Sequence, residues 1–139
     1  FQIKRYQSKL SGPLIDRIDL VVNVPRLTTE ELINTKTNAE PSFDIRQRVI
    51  RARKIQAERY KNEGILTNSE LNTKQIKQFC QLDNMSAEFL KEAAQKYMLS
   101  GRKFNRILKM ARTIADLEAK ENIELKHLTL ALQYRVDMN

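Results

Sequence analysis

The chain has 139 residues, 41% of them hydrophobic, which is enough for one modest core, and three Gly with three Pro suit a helix-rich fold with few tight turns. A formal charge of +8 and a pI near 9.7 point to a polyanionic partner, whether nucleic acid, nucleotide phosphate or an acidic protein surface. One cysteine, Cys80, excludes an internal disulfide and suits a reducing compartment, and no apolar run is long enough to span a membrane.

In chain order, Ser11-Gly12-Pro13 is a turn signal, since Gly permits positive φ and Pro blocks helix continuation. Ile18, Leu20, Val22 and Val24 then alternate in a β-branched run that ends at Pro25, which predicts one strand over 18–24. A lone strand is not a sheet, so its partners are expected outside this chain. The N-terminus has no initiator Met and no signal-peptide pattern, and reads as a cut through a longer protein. A short helical turn is expected at Thr29–Ile33, followed by a polar linker that closes at Pro41.

Residues 43–63 predict a long helix stopped by Gly64. Its apolar face is thin, at Ile45, Val49, Ala52 and Tyr60. Its charge is heavily positive, with Arg46, Arg48, Arg51, Arg53, Lys54, Arg59 and Lys61 against Asp44, Glu58 and Glu63. Two readings stand. The helix is a solvated face whose basic stems cover apolar surface, or Arg46, Arg48, Arg51, Arg53 and Lys54 meet nucleic-acid phosphates. No aromatic residues are interleaved, so such contact would be sequence-neutral.

Residues 68–84 start as a loop and give a short helix near Thr73–Phe79. Cys80, with no second Cys and no His nearby, reads as a small buried residue. Asp83 to Ser86 offer caps for a helix over 87–98, with a stripe of Phe89, Leu90, Ala93, Ala94 and Tyr97. A last helix is expected over 127–135, and His127, the one histidine, reads as a helix-start or exposed residue.

The clearest helical pattern runs from Ser100 to Glu118. Phe104, Ile107, Leu108, Ala111, Ile114 and Ala115 form the stripe of a helix that buries one face. Arg102, Arg106, Lys109 and Thr113 stack along another edge. Ser100 is a good N-cap. Arg102 puts a positive charge in the first turn, against the helix dipole. It is either a solvated arginine or, with the helix N-terminus, a phosphate contact. The chain has no glycine-rich phosphate loop, no zinc spacing and no Ser/His/Asp arrangement, so no complete catalytic site is legible.

Two blocks carry a family resemblance. Ser11-Gly-Pro-Leu-Ile-Asp-Arg-Ile-Asp-Leu20 resembles the motif after the sensor strand of the magnesium-chelatase-like AAA+ ATPases. Ser100-Gly-Arg102 with Asn105-Arg-Ile-Leu-Lys-Met-Ala-Arg-Thr-Ile-Ala-Asp116, and His127-Leu with Ala131-Leu-Gln-Tyr-Arg135, resembles the C-terminal domain of the same group. The match is to the bacterial branch devoted to competence and DNA branch migration, and it covers nearly the whole chain.

The resemblance implies a mainly α fold: a helical-bundle AAA+ lid domain over 43–139, preceded over 1–42 by one β-strand and a linker from the end of an α/β ATPase core. It matches Arg17 to an arginine finger that reaches ATP held by the neighbouring subunit, with Asp16 orienting it. It matches Arg102 to the sensor-2 arginine that touches phosphate in its own subunit. It implies ATP and Mg in the full-length protein and no cofactor in this fragment, which lacks the phosphate-binding loop and should be inactive alone. It implies a homo-oligomeric ring, usually a hexamer, in the bacterial cytoplasm, acting on DNA and not on a membrane. The alternatives are the lid of a magnesium-chelatase motor subunit acting on a protein partner, and a free-standing basic helical module that binds nucleic acid.

Overall fold

The computed structural model describes residues 18–22, 24–33 and 39–134. Among these residues the helices are α1 (Thr29–Ile33), α2 (Ser42–Arg59), α3 (Thr73–Phe79), α4 (Asn84–Lys96), α5 (Gly101–Leu117) and α6 (Leu125–Gln133), with a 3-10 turn at Asn68–Glu70. The fold is mainly α, as a helical lid domain requires.

α5 is the central element because its apolar stripe is the widest. Ile107, Leu108, Ala111 and Ala115 are buried, and Phe104 and Ile114 pack beside them. α6, α2, α3 and the 3-10 turn all pack on α5. Ala111, Ala115 and Ala131 are fully buried where α5 meets α6, and such small side chains let two helix backbones approach closely. Leu90 from α4 and Leu128 from α6 fill the remaining centre. Cys80 is buried at the end of α3, and burial pushes its thiol up to about 11, so it is an inert packing residue at neutral pH.

The helix starts follow side-chain chemistry. Asn72 and Gln75 make a reciprocal capping box on α3. Asp83 accepts from Ser86 N–H on α4, and Ser100 accepts from Lys103 N–H on α5. Asp83 caps so well that α4 begins at Asn84, three residues before the start expected from its apolar stripe. At α6, the Nδ1 of His127 accepts the backbone N–H of Glu124 at 2.9 Å, so its Nε2 carries the proton toward Glu118. His127 is thus a helix-start residue, yet fully buried and not exposed.

α4 and α5 both end in a Schellman turn built on a residue other than glycine. Met98 has φ 48° and Ala119 has φ 55°. Leu99 N–H returns to the Ala94 carbonyl at 3.0 Å, and Lys120 N–H to the Ala115 carbonyl at 2.8 Å. A left-handed backbone costs an L-residue roughly 1 kcal/mol that glycine avoids. Ala119→Gly is therefore expected to raise the urea midpoint by the equivalent of about 1 kcal/mol with an unchanged m-value.

Three expectations change. The helix predicted over 43–63 ends at Arg59, because the chain turns at Tyr60 and Gly64 (φ 69°) closes the turn. Ala52 and Tyr60 are buried as expected, but Ile45 and Val49 remain exposed, because the first half of α2 overhangs the core. The strand expected over 18–24 does not form among the described residues of that stretch, which carry no assigned secondary structure. Its Val21 N–H donates instead to the Tyr134 carbonyl at the end of α6, at 3.0 Å.

Candidate functional site

One edge of α5 faces a cleft of about 630 Å³. Arg102, Arg106, Lys109 and Thr113, spaced by three or four residues, line it from α5 together with Asn105. Ser69, Asn72 and Thr73 form the opposite polar wall, Leu71, Ile76 and Met110 the apolar floor, and Asp19 and Leu20 the rim. A row of cations over an apolar floor suits an anion joined to a flat apolar body.

The cations are not equivalent. Arg102, in the first turn of α5, is exposed and makes no ion pair among the described residues. Lys109 Nζ donates to the Ser69 carbonyl at 2.8 Å, which holds the 3-10 turn at the cleft wall. Arg106 donates from Nη1 to the Ile18 carbonyl at 2.5 Å and from Nε to Asp19 at 2.8 Å, fastening the segment before α1 to α5.

Behind the cleft lies a buried polar cluster. Asp116, with a fully buried side chain, accepts from Arg59 twice, at 2.9 and 2.5 Å. It also accepts from Arg112 Nε at 3.2 Å, Asn68 Nδ2 at 2.8 Å and Gln56 Nε2 at 3.2 Å. The fork of Arg112 then holds the carbonyls of Glu121 and Lys120, each at 2.7 Å. Burial alone would disfavour the Arg59 cation, but the hydrogen bonds and charge of Asp116 more than offset it, and its pKa is raised. For Arg112 burial dominates and the pKa is lowered. Both remain cations at neutral pH. Asn68 connects the cluster to the cleft, since its Nδ2 also donates to Thr113 at 2.9 Å and its Oδ1 accepts from Tyr60 at 2.6 Å.

Arg17 and Asp16 lie outside the described residues. Arg102 lies at the cleft. Arg46, Arg51, Arg53 and Lys54 are exposed along α2, Arg46 and Arg53 on one edge and Arg51 and Lys54 on another. Arg48 differs, because both its terminal nitrogens are held by Glu40, at 2.5 and 2.7 Å. Sequence reasoning missed Arg59, Arg112 and Asp116 as partners. The available signal was a charged pair, four residues apart, set inside the apolar stripe of α5.

No helix among the described residues is long and apolar enough to cross a membrane. The family described as magnesium chelatase, subunit ChlI C-terminal, matches residues 39–135, and the one described as magnesium chelatase, subunit ChlI, matches residues 1–32. The competence protein ComM of Haemophilus influenzae is 45% identical over 134 residues, which is 96% of this chain and 26% of that protein. An uncharacterized protein, YifB, of Escherichia coli is 38% identical over the same shares, and one of Mycobacterium tuberculosis is 32% identical over 95% of the chain and 26% of its own length. The chain spans about a quarter of the length of these relatives. With a family match running from Ala39 through every described helix after α1, the chain belongs to the magnesium-chelatase-like family and matches its C-terminal region.

Proposed function

We propose that this chain is the lid-bearing part of an AAA+ ATPase that remodels DNA. Arg102 senses nucleotide phosphate bound in its own subunit, and Arg17, oriented by Asp16, completes the ATP site of the next subunit. ATP and Mg belong to the full-length protein, working as a ring. The observation that carries the reading is Arg102 at the N-terminal end of α5, exposed at a cleft whose same wall holds Arg106 and Lys109. Three cations on one edge, above an apolar floor, suit a nucleotide better than a neutral ligand. The relative named as a competence protein supports a DNA-linked role. In the full-length protein, Arg102→Ala is expected to lower ATP affinity or turnover by about 10- to 100-fold, the loss of one charge-assisted hydrogen bond. Unchanged binding and turnover would contradict the assignment.

The DNA contact is assigned to α2. Arg46, Arg51, Arg53 and Lys54 are exposed there, and the pair of Arg48 with Glu40 is a surface pair that costs little to exchange for a phosphate. Replacing these five cations by Gln is expected to flatten the dependence of log K on log salt, by about 0.9 for each phosphate no longer neutralised. A slope equal to that of the wild-type protein would make α2 a solvated face. The family name favours one other reading, in which the lid serves a chelatase motor and its partner is a protein. Salt-insensitive DNA binding would favour that reading.

A further inference from the structure

We propose that the outward face of α2 is a stacking ridge for single-stranded DNA, with Phe43 as the platform for a base and Arg46, Arg53 and Lys54 on its flanks for phosphates. The proposal deepens the assignment of the DNA contact to α2 and rests on it. An α-helix makes 3.6 residues per turn, so residues seven apart share one face. Phe43 and Ile50 are such a pair, and Ala57 continues the row. All three are exposed, Phe43 at 68% and Ile50 at 37%. The row is distinct from the face that α2 packs on α5, which carries the buried Ala52 and Gln56 about a third of a turn away.

Arg46 and Arg53, also seven apart, follow the ridge along one side, and Lys54 stands on the other. The two carboxylates of α2, Asp44 and Glu58, fall outside this face, and Glu58 holds Lys61 Nζ at 2.6 Å. From Arg46 to Lys54 the sequence holds no aromatic side chain. The helix supplies one, because Phe43 stands one turn before Arg46.

The occupant that fits is a polyanion with exposed flat faces. A purely apolar partner would take the three cations out of water with no anion to meet them. A second copy of this chain would set the same cations against one another. A duplex offers phosphates but keeps its bases stacked inside, so Phe43 would meet only the sugar–phosphate backbone. A single strand offers both, since every base has a π-face and stacking on an aromatic side chain tolerates any sequence. Arg46 and Arg53 lie about 10 Å apart along the helix axis, so each meets its own phosphate. In a protein that remodels DNA, such a face holds a strand that has left its duplex.

The test uses the full-length protein, with fluorescence anisotropy of a labelled mixed-sequence oligonucleotide, alone and annealed to its complement, at one salt concentration. Phe43→Ala is expected to weaken single-strand binding by about 5- to 100-fold, the loss of one stacked base, and to leave duplex binding unchanged. Phe43→Trp should retain single-strand affinity, whereas Phe43→Leu, apolar but without a π-face, should recover little. Because Phe43 is exposed, helical circular dichroism should be the same for all three variants and the wild-type protein. Undiminished single-strand binding by Phe43→Ala would overturn the proposal. Equal losses on both forms of DNA, or full rescue by Phe43→Leu, would also overturn it and make Phe43 an apolar contact with the rest of the protein. Failure of the underlying reading looks different: removal of the five α2 cations would then leave the salt dependence of binding unchanged for both forms of DNA. If the cations matter and Phe43 does not discriminate, the stacking ridge alone falls.

Discussion

Asp116→Ala is expected to destabilise the helical domain by about 3–5 kcal/mol, as the loss of one partner from a buried ion pair does. The substitution removes the acceptor shared by Arg59, Arg112, Asn68 and Gln56. It leaves the Arg112 guanidinium, 4% exposed, without its carboxylate, and Arg59 at 16% exposure likewise. It also frees the end of α2 from α5. Against a domain stability of about 5–15 kcal/mol, that loss is large. Asp116→Asn keeps the volume and one acceptor oxygen, and is expected to cost less than Asp116→Ala. Urea unfolding followed by helical circular dichroism measures both. A loss below about 1 kcal/mol for Asp116→Ala, well under the range for a broken buried pair, would show that hydrophobic packing alone holds α2 in place.

Arg17→Ala in the full-length protein is expected to lower ATP turnover by about 10³- to 10⁵-fold while sparing ATP binding. A finger supplied in trans neutralises charge on the transferring phosphoryl oxygens, and that charge is greatest in the transition state. Its removal therefore acts on kcat and not on ground-state affinity. Loss of ATP binding with assembly intact would place Arg17 in its own subunit's site instead.

The legible parts of the fold are those set by short-range pattern. The stripe of α5 and the edge of Arg102, Arg106, Lys109 and Thr113 follow from spacing alone, and the edge does line one cleft. α1 and α3 also fall where the local signals put them. The hub at Asp116 is not legible, because Arg59 and Asp116 lie 57 residues apart and no periodicity joins them. In the sequence Arg59 looks like one more cation on a solvated helix, whereas it is the member of α2 that the core claims. The overhang of α2 is hidden for a related reason. Ile45 and Val49 share a face with Ala52 and Gln56, so the pattern predicts burial along the whole stripe. Where the partner helix stops is a tertiary fact. The segment at 18–24 shows the converse: its alternating pattern predicts a strand, but no strand forms among its described residues, and its docking through Arg106 and Tyr134 carries no sequence signal.

The most direct test of the account is subunit complementation. Full-length Arg17→Ala protein is mixed with a variant whose own ATP-binding site is disabled, each being inactive by itself, and turnover of the mixed assembly is measured. An arginine that works in trans predicts recovered turnover, since intact ATP sites then receive intact fingers from their neighbours. A mixed assembly that forms and stays inactive would contradict it, and would confine Arg17 to the subunit that carries it.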